Sequence, residues 1–144
     1  MPATQNFANH AKYVPGYHML TFGIFVVNFF WSLYRVIHAP SVQTAISLLL
    51  SIAFVLLFFY ARIFALTVQD RIIRLEMQLR MQQVLPPELR ARIAEFSVGQ
   101  LVALRFASDQ ELPGLAKKVL DEKLEDRKAI KQMVKDWQPD LLRA

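Results

Sequence analysis

The sequence predicts an all-α membrane protein: a two-helix transmembrane hairpin whose second helix extends into the cytoplasm, followed by three or four short amphipathic helices. Three observations carry that expectation. Hydrophobic side chains make up 54% of the 144 residues, which is high for a water-soluble chain. Charge is segregated: Arg35 and Arg62 are the only charged residues from Tyr17 to Leu66, whereas all 12 acids follow Thr67. Finally, "SLLLSIAFVLLFFYARIFALTVQDRIIRLEMQLRMQQV", Ser47 to Val84, passes from hydrocarbon-compatible to charged amphipathic sequence without a Gly or Pro.

Residues 1–16 read as an N-terminal cytoplasmic segment and 17–66 as the hairpin. A span needs about 20 mainly apolar residues. Tyr17–Ile37 and Thr44–Leu66 both qualify. The link between them, "HAPSVQ" from His38 to Gln43, is short enough to force antiparallel neighbours, and Pro40 cannot continue the preceding helix. A cleaved signal peptide is the weaker reading, because the apolar run is long and no small-x-small site precedes Pro40. Arg62, Arg71, Arg74 and Arg80 gather at the exit of the second span and the link has no Lys or Arg, so both termini are expected in the cytoplasm. Tyr13, Tyr17, Tyr60 and Phe64 fit one interfacial belt, and Trp31 and Tyr34 the other.

Polar residues recur along one face of the first span. His18, Thr21, Phe25, Asn28, Ser32 and Arg35 follow at steps of three and four. Thr44, Ser47 and Ser51 do the same on the second span. Folding the hairpin predicts an interhelical seam of Asn28, Ser32, Arg35, Thr44, Ser47 and Ser51, whose small hydroxyls allow close approach and cross-helix bonds. Arg35 lies near a helix end and can snorkel to the interface. The histidines are His10, His18 and His38. The last two are 20 positions apart, about 30 Å along a helix, so they cannot share one metal. Each reads as an interfacial polar residue, with axial ligation of a chlorophyll-type pigment or haem as the alternative.

Residues 67–84 read as a helical extension of the second span, so that Thr44–Val84 would form one helix of about 60 Å. Val68, Ile72, Leu75 and Leu79 make an apolar stripe for packing against a partner, widened by Ile73 and Met77. Asp70 with Arg74 and Glu76 with Arg80 have the spacing of helical ion pairs. "LPPELRARIAEF" ends the extension and opens a helical head over 85–144: Pro87 can start a short helix to about Phe96. Ser97 with Gln100 and Ser108 with Glu111 have capping-box spacing, and Pro113 offers a later first turn for the second of these helices. Ile130, Met133, Val134 and Trp137 share a face of the last segment. The basic run from Lys117 to Trp137 is interleaved with acids, which suits a solvated face or anionic-lipid contact and argues against nucleic acid.

"QDRIIRLEMQLR", then "LPPELRARIAEFSVGQLVALRFASDQELPGLAKKVLDEKL", then "KAIKQMVKDWQPDLLR" resembles a family of small two-span bacterial membrane proteins of unknown function. "QLVALRFASDQELP" and "KDWQPDLLR" are the distinctive stretches. The resemblance implies architecture and a bacterial inner-membrane setting, and it transfers no site residues.

No catalytic constellation emerges. The chain has no Cys, no Gly-rich phosphate loop, no H-E-x-x-H and no G-x-S-x-G. Glu88, Glu95, Asp109 and Glu111 read as helix-cap and first-turn acids. The expected function is therefore a non-catalytic accessory or scaffolding subunit of a larger membrane complex. Its partners would be lipids, other membrane subunits or further copies of itself, with no nucleic acid, small-molecule substrate or cofactor. Two alternatives stand beside it: a membrane-tethered adaptor for a cytosolic protein, and a pigment- or haem-associated subunit of a photosynthetic or respiratory complex.

Overall fold

Helix α1 covers Phe22–His38 and is preceded by a π-helical turn, Gly16–Thr21. Helix α2 covers Val42–Val84. The short helices α3 (Pro87–Arg90), α4 (Val98–Leu104), α5 (Leu112–Asp121) and α6 (Arg127–Met133) follow, with a 3-10 turn at Ile93–Glu95. The computed structural model describes residues 5–7, 9 and 13–140. The expectations for His10, Lys12 and Leu141–Arg143 lie outside them. The chain divides into two units between Leu66 and Thr67, inside α2, which continues as a helix through that point. Residues 67–84 belong to the same unit as the short helices.

In the unit of residues 13–66, the π turn and α1 together, and α2 separately, are long and apolar enough to cross a membrane. Aromatic rings fill the space between them. Phe25 stacks on Phe54 with centroids 5.4 Å apart, and Tyr17 stacks on Phe58 at 4.3 Å. The Tyr17 hydroxyl donates to the Phe58 carbonyl at 2.5 Å. At the other end, the Ser41 N–H donates to Thr44 Oγ1 at 2.9 Å and the Thr44 N–H donates to Ser41 Oγ at 3.1 Å. This reciprocal cap starts α2 and shortens the link to Ala39–Ser41.

The polar seam differs from the sequence expectation. Ser32, Thr44 and Ser51 are buried and Ser47 is half-buried, but Asn28 and Arg35 are exposed. The inward face of α1 is Phe22, Phe25, Phe29, Ser32 and Val36, one position later than the Thr21–Asn28–Arg35 row. Large rings bury far more area than a carboxamide or hydroxyl, so they set the phase of the helix. The hydroxyls also bond locally: Ser47 donates to Gln43 C=O at 2.9 Å, Ser51 to Leu48 C=O at 2.7 Å, and Thr44 serves the cap.

In the other unit, α2 supplies one wall of the core. Ile73, Met77, Met81 and Leu85 are buried with Leu101, Leu104, Phe106, Leu112, Val119 and Ile130. The helix between Pro87 and Phe96 is broken into α3 and the 3-10 turn. Helix α4 has the full Ser97–Gln100 capping box, while α5 starts at Leu112 with Pro113 in its first turn. Helix α5 ends in a Schellman motif: Leu124 N–H bonds Val119 C=O at 3.0 Å and Lys123 N–H bonds Leu120 C=O at 3.3 Å. Lys123 occupies the left-handed position, with φ 51°. Helix α6 stops at Met133, so Val134 and Trp137 reach the core from extended chain.

Candidate functional site

The densest polar cluster ties α2 to the chain that follows α4. Arg80 is presented by α2 one turn beyond Met77. Its Nε donates to Asp109 Oδ1 at 2.8 Å, its Nη1 to Arg105 C=O at 3.1 Å and its Nη2 to Ala107 C=O at 2.6 Å. The turn after α4 has no helix to satisfy these carbonyls, and the planar guanidinium fork supplies the missing donors. Arg105 lies against the Phe106 ring, with Cζ 4.5 Å from its centroid, and its Nε stands 3.0 Å from Asp140 Oδ2.

The same turn receives the end of the described chain. Ala107 and Trp137 form an antiparallel bridge. Gln138 N–H donates to Phe106 C=O at 2.7 Å, and Ser108 N–H to Asp136 C=O at 3.1 Å. The Trp137 ring packs on Phe106 at 4.6 Å. The Glu111 carboxylate accepts the backbone N–H groups of Lys135 and Asp136 at 3.0 Å. Gln5 closes the cluster: its amide oxygen accepts the Asp140 N–H at 2.8 Å and its amide N–H donates to the Asp140 C=O at 3.3 Å. Parts of the two distinctive sequence stretches, "RFASDQE" and "KDWQPD", are thus the two halves of one clasp.

Two expected ion pairs are replaced, one of them by the clasp. Asp70 faces Arg127 at 3.7 Å rather than Arg74, and Arg80 takes Asp109 rather than Glu76. Contacts that fix the head win over helical neighbours because an i,i+4 pair is worth only about 0.3–0.5 kcal/mol. Of the four acids read as cap and first-turn groups, Glu88 and Glu95 lie in the first turns of α3 and the 3-10 turn and Glu111 stands at the N-cap position of α5; Glu95 also pairs with Arg92, and the carboxylates of Asp109 and Glu111 hold the clasp. The Glu95 hydrogen bond first, then that of Asp121, raises the Arg92 pKa. Arginine is charged throughout the working range, so this pair creates no pH switch near neutrality.

A cleft of about 190 Å³ opens beside the clasp, lined among others by Glu76, Arg80, Arg105 and Asp140. Its guanidinium groups are engaged by carboxylates and carbonyls of the same clasp, an arrangement that holds chain segments together. Among the described residues, no group of three His, Asp or Glu side chains is placed to hold a metal ion.

The other sequence-derived candidates are not members of the clasp. Val68, Ile72, Leu75 and Leu79 are exposed, while their neighbours Ile73 and Met77 are buried in the core. His18 Nδ1 lies 3.0 Å from Val14 C=O, and the ring stacks on Tyr13. His38 Nδ1 lies 3.0 Å from Tyr34 C=O, and its ring stacks on Tyr34 at 4.1 Å. A model of a family of unknown function, DUF6526, matches residues 1–144. The chain belongs to that family. No curated protein matches this DUF6526 member, and no solved structure does. The clasp gives its distinctive stretches a physical role that periodicity alone misses. Arg80 reads in sequence as a topogenic cation and a helical partner of Glu76, and Gln5 carries no sequence signal at all.

Proposed function

We propose that this DUF6526 protein is a non-catalytic integral membrane protein of the bacterial inner membrane, an accessory or scaffolding subunit that stabilises a larger membrane complex. One observation carries the reading: α2 is a single helix from Val42 to Val84 that is membrane-compatible at its start and a wall of the polar head's core at its end. A flexible tether would suit a head that roams; a continuous helix suits one that is held. Both termini lie in the cytoplasm in this reading. The basic exit of the second span favours that side, and the pairing of Gln5 with Asp140 supports a common side for the two residues.

The exposed face of α1 is where neighbouring subunits would pack. Asn28 sits mid-span beside Gly23, Ile24, Val27 and Trp31, and an unsatisfied carboxamide in hydrocarbon costs several kcal/mol. Purification from native membranes in mild detergent, followed by native electrophoresis and mass spectrometry, tests the proposal. The expected result is a stable set of co-migrating membrane proteins that Asn28→Leu weakens. Migration with no other membrane protein overturns the accessory role.

A further inference from the structure

We propose that α2 pairs with α2 of a second copy of this chain, parallel and in register, along Val68, Ile72, Leu75 and Leu79. The head covers only one side of this helix segment: Ile73, Met77 and Met81 are 4%, 3% and 0% exposed. Val68, Ile72, Leu75 and Leu79 remain 57%, 52%, 60% and 54% exposed. Their steps of four, three and four are those of the core positions d, a, d and a of a coiled coil. Ile73 and Met77 then fall at the outer positions b and f, so the head and a second helix can occupy α2 together.

Charge identifies the occupant. In this register Arg71 is a g residue and Glu76 is the e residue of the next heptad. A parallel partner of identical sequence places each Arg71 opposite the other copy's Glu76, twice by symmetry. An antiparallel arrangement faces g with g and e with e, which sets like charges together. Both side chains are exposed, and among the described residues neither has an ion-pair partner within the chain, because Asp70 and Arg80 are taken by Arg127 and Asp109. Two heptads are too short for a stable coil in water. The pairing therefore rests on the membrane reading above, in which a shared bilayer aligns the copies and raises their effective concentration.

The chain has no cysteine, so single cysteines report directly on the seam. In native membranes containing the full chain, Val68→Cys and Leu75→Cys are expected to give disulfide-linked homodimers on mild oxidation. Arg74→Cys, exposed but off the seam, is expected to give at least about fivefold less. Arg71→Glu or Glu76→Arg, each combined with Leu75→Cys, should lower cross-linking by about fivefold, and the double reversal should restore it. Equal cross-linking at positions 74 and 75 overturns the proposal. So does an adduct to a different protein, a Val68→Cys and Leu79→Cys mixture linking only with each other, or a double reversal that fails to restore dimers. Cell fractionation reports on the membrane reading separately: a chain found in the soluble fraction defeats that reading whatever the cross-links show.

Discussion

Arg80 directs all three guanidinium nitrogens at one turn, and no other side chain can reproduce that geometry. Hydrogen bonds that involve a charged group contribute about 1.5–3 kcal/mol. Arg80→Ala is expected to destabilise the head by about 2–3 kcal/mol, with Arg80→Lys recovering less than half, because an ammonium cannot span two carbonyls and a carboxylate. Urea unfolding followed by circular dichroism measures both. Lys123 presents the opposite case. Its left-handed conformation is strained for a residue with a Cβ and free for glycine. Lys123→Gly should stabilise the head by about 0.5–1 kcal/mol, read as a rise of a few degrees in Tm.

At the scale of elements, α2 carries two apolar faces with different duties. Met81 is fully buried against the head, so Met81→Ala should cost about 2–5 kcal/mol. Leu79, two positions earlier, is mostly exposed, and Leu79→Ala should change the stability of an isolated chain by less than about 0.5 kcal/mol. Thermal unfolding of the two variants in detergent separates the faces. The helical pattern of α2 and the Ser97–Gln100 cap are legible in the sequence, because each is set by neighbours three or four positions away, whereas the helical face expected to run to Trp137 ends with α6 at Met133. The inward face of α1 is not legible in the same way, since heptad spacing does not say whether rings or hydroxyls win the interior. The clasp could not be read at all. Arg80 meets Asp109 across 29 positions, a distance over which no local periodicity carries information.

For the whole molecule, the head cannot be cut from the helix that enters it. Ile73, Met77, Met81 and Leu85 belong to its core, and a small core has little stability to lose. A fragment beginning at Pro86 is expected to be unfolded, whereas one beginning at Thr67 should give dispersed amide resonances by NMR. Interrupting the helix at the division between units tests the scaffold reading at the same scale. Thr67→Pro should cost about 3 kcal/mol of local helix stability and leave the head folded. Loss of the co-purifying membrane proteins in that variant is the expected outcome of the pull-down.

The amide pair between Gln5 and Asp140 joins positions 135 residues apart. At a synthesis rate of about 5–20 residues per second, roughly 7–27 s separate the appearance of the two partners. During that interval Gln5 lacks this partner, and both long apolar helices are made. The Gln5–Asp140 pair therefore closes only after both long apolar helices have been synthesised, so completion of the clasp follows their synthesis in every molecule.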